Sequence, residues 1–161
     1  MEAILSPVAT LEQILSYKND NIISRFTDNY NISWEEAEDI FTETKKFLFI
    51  SGLPGMFMPD DLSIIDEMWH NFICFTSEYT TFSEKYFGAY IHHTPATKEE
   101  KDSTKFKVQN SPEEAREEFL GRLEVMMNHT YDAFGQDTVI KWFQEYPVKY
   151  SSENIKAMRL S

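Results

Sequence analysis

Helix-start and helix-stop residues recur along this chain and constrain its fold more than any other feature. Ser6 and Pro7 precede the run "VATLEQILSYK". Ser33 and Glu36 form an S-x-x-E capping box before "WEEAEDIFTETKKFLFI", and Gly52 follows that run. These residue types begin and end helices, while no stretch shows the Val/Ile/Thr alternation between turn residues that is typical of a strand. The sequence therefore predicts an all-α fold.

The second half of the chain contains the same kinds of helix-start and helix-stop residues. Ser111 and Pro112 open the run "PEEAREEFLGRLEVMMNHTYDAF", which stops at Gly135. Asp137 is then predicted to cap "TVIKWFQEY", and Pro147 is predicted to end it. Two further long helices are therefore expected between residues 111 and 147.

The middle of the chain supplies two more helices. Asp60 or Asp61 can cap a helix over about residues 62–76, and Gly88 can end another over about residues 77–87. A chain of 161 residues has the size of about one domain. We expect residues 1–161 to form one compact helical bundle of six or seven helices, with a flexible polar loop over residues 94–110.

The net charge limits the partners of this chain. It is −12 at pH 7. A surface of that sign repels phosphate backbones, whose binding requires clustered Lys and Arg. The charge therefore argues against nucleic acid as a partner and favours a basic protein or peptide.

The cysteine and hydropathy patterns predict a cytoplasmic location. Cys74 is the single cysteine, which excludes an intrachain disulfide. It has no positive neighbour in sequence, so a buried inert thiol is expected. The N-terminal stretch lacks a basic region before its apolar residues, and no run approaches the roughly 20 apolar residues of a membrane span. We expect neither a signal peptide nor a membrane partner.

An apolar loop over residues 53–58 follows the second predicted helix. Leu53, Met56, Phe57 and Met58 are interrupted there by Pro54 and a glycine. Such a segment either folds back onto the core or presents an exposed apolar patch. If it is exposed, it predicts oligomerisation through this loop.

Two residues of the third predicted helix form a candidate site. Asp66 and His70 are four positions apart, so they lie on the same side of the helix, one turn apart, at the edge of its apolar arc. A helical hairpin would return the segment after Gly88 to this place. His92 and His93 lie in that segment, and one of them is expected to join the pair.

A carboxylate and two imidazoles suit Zn(II), or Fe(II) with open coordination positions. Asp66, His70 and either His92 or His93 are the candidate metal ligands. An Asp-His pair at this spacing is also a common hydrogen bond at a helix surface, and the chain has no H-E-x-x-H motif. A metal centre and a structural polar cluster therefore both remain open.

The same segment carries a resemblance to a known family. Its motif is D-x-x-W-H, then Tyr79, a Phe-Gly pair, and I-H-H-x-P ending at Pro95. It resembles a family of short, mostly bacterial proteins of undefined activity, and is similar to the N-terminal domain of plant glycine-rich-domain-containing proteins. The plant-like form has a further histidine where this chain has Phe72. The resemblance implies a helical domain in which one unit is formed by Asp66, Trp69, His70, Tyr79, His92, His93 and Pro95.

Three functions are compatible with these observations. The first is a non-catalytic cytoplasmic binding or accessory protein, with the Asp/Trp/His cluster as a recognition site or structural keystone. The alternative is a metal-dependent enzyme that uses Zn or Fe held by Asp66, His70 and His92 or His93. The third is a structural oligomer subunit that assembles through residues 53–58.

Overall fold

The computed structural model describes residues 5–160, and helices account for most of them. No strand forms within these residues, where a single antiparallel bridge joins Tyr30 to Arg159. The all-α prediction is confirmed. The helices are α1 Leu11–Ser16, α2 Asp20–Asn29, α3 Trp34–Ile50, α4 Ser63–Ile73, α5 Thr76–Phe87, α6 Lys98–Asn110, α7 Pro112–Phe134, α8 Gln136–Ile140, α9 Tyr146–Lys149 and α10 Ser152–Met158.

The core is built around α3, which packs against α1, α2, α4 and α7. An aromatic cluster fills the space where α3, α4 and α5 meet, with Phe72 of α4 fully buried at its centre. Ring centroids of Tyr17, Phe41, Tyr79 and Phe82 lie 5.0 to 5.9 Å from that of Phe72. Position 72 is therefore a core position, and a residue there is not available to an exposed site.

The first helix begins later than predicted. Thr10, not Ser6, is its cap: the Thr10 hydroxyl accepts from the Gln13 N–H at 3.2 Å, and the Gln13 side chain accepts from the Thr10 N–H at 2.9 Å. Residues 5–9 are not helical, and they run along the end of α5, where the Val8 N–H donates to the Tyr86 carbonyl at 2.8 Å.

Two other predicted caps and one predicted helix end differ from the structure. A 3-10 turn over Asp60–Leu62 precedes α4, so the helix begins at Ser63 without a side-chain cap. Asp137 lies inside α8, which follows Gly135 directly. Pro147 does not end the last predicted helix: a π-helical turn over Lys141–Glu145 leads into α9, where proline in the first turn leaves no hydrogen bond unmade.

The structure contains helices that the sequence analysis did not predict, namely α2, α6 and α10. The expected loop over residues 94–110 is wrong for most of its length, because α6 occupies Lys98–Asn110. Thr97 caps this helix by accepting from the Glu100 N–H, and Lys98 pairs with Asp102 at 2.8 Å. None of its residues is buried, so it lacks the apolar periodicity by which helices are recognised in a sequence.

The apolar loop 53–58 lies mainly against the protein. Met56, Phe57 and Met58 pack on the core, while Leu53 is 40% exposed. Oligomerisation through this loop stays a prediction. Among the helices of residues 5–160, none combines the length and apolar character needed to cross a membrane.

The hydroxyls of two buried tyrosines, Tyr30 and Tyr150, donate hydrogen bonds to carboxylates. Tyr30 is 8% exposed, and its hydroxyl donates to Glu67 Oε2 at 2.7 Å. Burial, together with this hydrogen bond, raises the pKa of Tyr30 to about 12. Burial likewise raises the pKa of Tyr146 and Tyr150.

We expect the free energy of unfolding to fall steeply above pH 10. Tyr30 ionises near its ordinary pKa of 10.0 in the unfolded chain and near 12 in the folded one. Its stabilising contribution is therefore complete below pH 10 and is lost as the pH rises through 12. In urea unfolding from pH 8 to 12, Tyr30→Phe should flatten the decline by up to about 1.4 kcal/mol per pH unit. Tyr131→Phe, at a tyrosine 59% exposed, should leave the slope unchanged; equal slopes in both variants would contradict this account.

Candidate metal centre

Helix α4 presents Asp66 and His70 at the surface because its opposite side is held in the core. Ile65 and Met68 are fully buried and Trp69 is 7% exposed, which sets the rotation of the helix about its axis. Asp66 is then 29% exposed and His70 is 52% exposed. The two side chains lie one turn apart, as their spacing predicts.

A buried chain of hydrogen bonds positions the segment that follows α5. Gly88 ends α5 in the left-handed conformation, with φ of +74°. The Trp69 indole N–H donates to the Tyr79 hydroxyl at 2.9 Å, and that hydroxyl donates to the Ile91 carbonyl at 2.6 Å. Because Ile91 is 2% exposed, the extended segment is held against α4 at this point.

His93 completes the candidate site. Its Nε2 lies 2.6 Å from Asp66 Oδ1, and His70 Nε2 lies 3.7 Å from the same oxygen. One ligand atom from each of the three residues falls within 4.8 Å of the others. The His93 ring is enclosed by its neighbours, with centroids 4.2 Å from the Trp69 ring and 4.5 Å from the His70 ring.

These distances suit a single metal ion. Zinc binds imidazole nitrogen and carboxylate oxygen at about 2.0–2.2 Å, so two ligand atoms on one ion lie about 2.8–3.6 Å apart. The separations of 2.6 Å and 3.7 Å are each within about 0.2 Å of that range. In this structure, His93 Nε2 and Asp66 Oδ1 form a hydrogen bond at 2.6 Å. The ligand atoms of His70 and His93 lie within 4.8 Å of each other, so the side chains would have to draw together to hold one ion.

The other residues predicted for the site lie outside this group. His92 is exposed, and its ring faces Tyr90 at a centroid distance of 4.9 Å. Pro95 is exposed. Tyr79 is fully buried, and its hydroxyl is used by Trp69 and Ile91; burial raises its pKa, so it is a neutral structural group.

The choice between the two histidines follows from the position of Ile91. Ile91 is buried, His92 is exposed and His93 is partly buried, so the three side chains alternate in burial as they do along a strand. The burial of an isoleucine two positions earlier is therefore the local signal that distinguishes His93 from His92.

A groove beside His70 adds residues that the sequence analysis missed. It has a volume of about 360 Å³ and is lined by α2, α4 and the C-terminal residues 159–160. Cys74 lies on its wall and is exposed, so the expectation of a buried thiol is wrong. Arg25 and Arg159 also line the groove, but they come from distant segments and carry no local motif.

A family model described as UCP032817-like matches residues 11–111, which is more than half of the chain. The matched range contains α1 to α6 and all three residues of the candidate metal centre. No curated protein and no solved structure matches the chain. The match confirms the predicted membership of a family of undefined activity, while the similarity to the plant domains stays a prediction.

We expect Tyr79→Phe to destabilise the protein and to loosen the position of His93. The variant leaves the Trp69 N–H and the Ile91 carbonyl buried without their partner, at a cost of about 1–3 kcal/mol for such groups. Urea unfolding measures this loss, and the His93 imidazole signals in an NMR spectrum report its position. Val148→Ala, at a side chain 74% exposed, is the control and should change neither readout. Native stability in Tyr79→Phe would show that the hydrogen-bond chain does not hold the segment.

Proposed function

The chain belongs to the UCP032817-like family, and because that description states no activity, we propose from the site geometry that the protein is a mononuclear metalloprotein. Asp66 Oδ1, His70 Nε2 and His93 Nε2 are its ligands for one divalent ion. The observation that carries this proposal is the convergence of these three atoms within 4.8 Å, from two separate segments of the chain.

The ligand set favours Zn(II) or Fe(II). Two imidazoles and one carboxylate are borderline donors, which match these ions better than Ca(II) or Mg(II), whose ligands are mainly oxygen. Such a set is also the facial arrangement by which non-haem Fe(II) is held with positions left open. A structural zinc site, in contrast, is usually closed by four protein ligands.

The exposure of the ligands supports a site that is open on one side. His93 is only 14% exposed and lies against Trp69, whereas His70 is 52% exposed and faces the groove. A bound ion would therefore have protein on the His93 side and free coordination positions on the His70 side. This favours the metal-dependent enzyme among the three functions, with Lewis-acid activation of water or of a substrate as the chemistry that the ion supplies.

The rest of the cluster would support the ligands rather than bind the ion. Trp69 packs on the His93 ring, and Tyr79 holds the backbone two residues before it. The keystone role predicted for the cluster thus belongs to Trp69 and Tyr79, and the metal role to Asp66, His70 and His93. Binding of a basic partner remains a separate prediction, as does assembly through residues 53–58.

We expect the protein purified without a histidine tag to bind about one equivalent of Zn²⁺ per chain. His93→Ala and Asp66→Asn should each weaken Zn²⁺ binding by about a hundredfold or more, since loss of a supporting group alone costs 10- to 100-fold. Isothermal calorimetry measures the affinity. At free Zn²⁺ of 100 Kd, the wild-type protein should gain about 2.7 kcal/mol of unfolding free energy.

The matched control is His92→Ala, which removes the same side chain one position away from the site. Its Zn²⁺ affinity should equal that of the wild-type protein, because His92 lies outside the ligand group. If His93→Ala and His92→Ala bind Zn²⁺ equally well, the binding arises elsewhere on the chain and the proposed metal centre is wrong.

A further inference from the structure

Most of the residues that line the groove beside His70 carry polar groups. Pockets for small ligands commonly have volumes of roughly 300–1,000 Å³ and mainly apolar linings. This groove, at about 360 Å³, lies at the small end of that range, and Leu160 is its one aliphatic residue. Its size therefore fits a small molecule, and its arginine, asparagine and histidine side chains can hydrogen-bond to polar groups of that molecule.

Arg25 brings a positive charge to this wall without a carboxylate partner. No carboxylate among residues 5–160 forms an ion pair with it. Its Nη1 donates to Asn71 Oδ1 at 2.7 Å, and Asn71 is 4% exposed. The Asn71 amide in turn donates to the Ile22 carbonyl at 2.8 Å. The guanidinium is therefore held in place by a buried neutral group, and its remaining N–H donors are free for a ligand.

Arg159 brings a second positive charge to the same groove. Its Nη2 lies 3.4 Å from Glu67 Oε1, and the other Glu67 oxygen accepts from the Tyr30 hydroxyl. The Asn31 N–H donates to the Met158 carbonyl at 2.7 Å, and the Leu160 N–H donates to the Asn29 carbonyl at 2.9 Å. These two bonds hold Arg159 in the groove wall.

The local charge is opposite to that of the chain. Two arginines and one glutamate line the groove, which is 2 − 1 = +1 with neutral His70, whereas the whole chain carries −12. A positive cleft on an acidic protein selects anions. Guanidinium groups bind carboxylate and phosphate in particular, because their paired N–H donors match two oxygens at once.

We propose that this groove binds a small oxyanion, a carboxylate or a phosphate, on Arg25 and Arg159. The adjacent group of the ligand then reaches the open side of the metal centre at His70. This second contact rests on the proposed metal function, and the contact with the arginines does not. The substrates of the metal centre are then small anionic molecules that are long enough to reach from the two arginines to His70.

The test is an NMR titration of the full ¹⁵N-labelled chain, metal-free and with one equivalent of Zn²⁺. Succinate and inorganic phosphate are the probes, and they distinguish a carboxylate from a phosphate ligand. The Arg25 side-chain N–H and the Cys74 amide report binding in the groove. We expect saturable shifts there with at least one probe, weakened about ten- to a hundredfold in Arg25→Gln and in Arg159→Gln.

Arg116→Gln is the matched control, because it makes the same change of charge at an exposed residue outside the groove. It should bind the probe as the wild-type protein does. Equal affinity in Arg25→Gln and Arg116→Gln, or an absence of shifts with both probes, would overturn the proposal.

The titration with Zn²⁺ tests whether metal binding changes the affinity of the groove for the probe. Tighter probe binding with Zn²⁺ in the wild-type protein, and not in His93→Ala, supports one joint site. Unchanged probe affinity in a protein that does bind Zn²⁺ overturns the substrate assignment. If the chain binds no Zn²⁺, the metal function fails by itself, while the metal-free arm still decides the contact with the two arginines.

Discussion

The hydrogen bonds from Trp69 through Tyr79 to the Ile91 carbonyl hold the candidate site together. They connect α4, α5 and the segment after Gly88, and each donor and acceptor is buried, so none has water as a substitute partner. His93 lies two residues beyond the last of these bonds. The distance between His93 and Asp66 is therefore set by the core of the protein, even though both side chains lie near its surface.

The two sides of helix α4 lie in different environments, one in the core and one at the surface. Trp69 and Phe72 pack in the aromatic core, while Asp66 and His70 face outward. A site on a well-packed helix keeps its geometry better than a site on loops. Only His93 comes from a loop, and the Tyr79 hydroxyl holds that loop at the Ile91 carbonyl, so all three candidate ligands are positioned by packed elements.

Sequence patterns predicted the parts of this structure that depend on local chemistry. The all-α fold, the ends of α3 and α7, and the pairing of Asp66 with His70 all follow from caps and helical spacing. The helix α6 was missed because it buries no residue. The groove was missed because Arg25 and Arg159 are 134 positions apart (159 − 25) and meet only through the bridge between Tyr30 and Arg159. Such long-range contacts have no signature in a single sequence.

Arg159 and Leu160 form one wall of the groove, so the position of their segment affects ligand affinity. Two backbone hydrogen bonds, Asn31 N–H to the Met158 carbonyl and Leu160 N–H to the Asn29 carbonyl, hold residues 158–160 beside the end of α2. Segments held by few hydrogen bonds open locally at free energies below that of global unfolding. If such opening releases Arg159 from the groove, a ligand that needs both arginines binds with an affinity reduced by the docked fraction. A ligand bound in the groove would in turn stabilise the docked position of residues 158–160, so their protection from hydrogen exchange and the occupancy of the groove are thermodynamically linked.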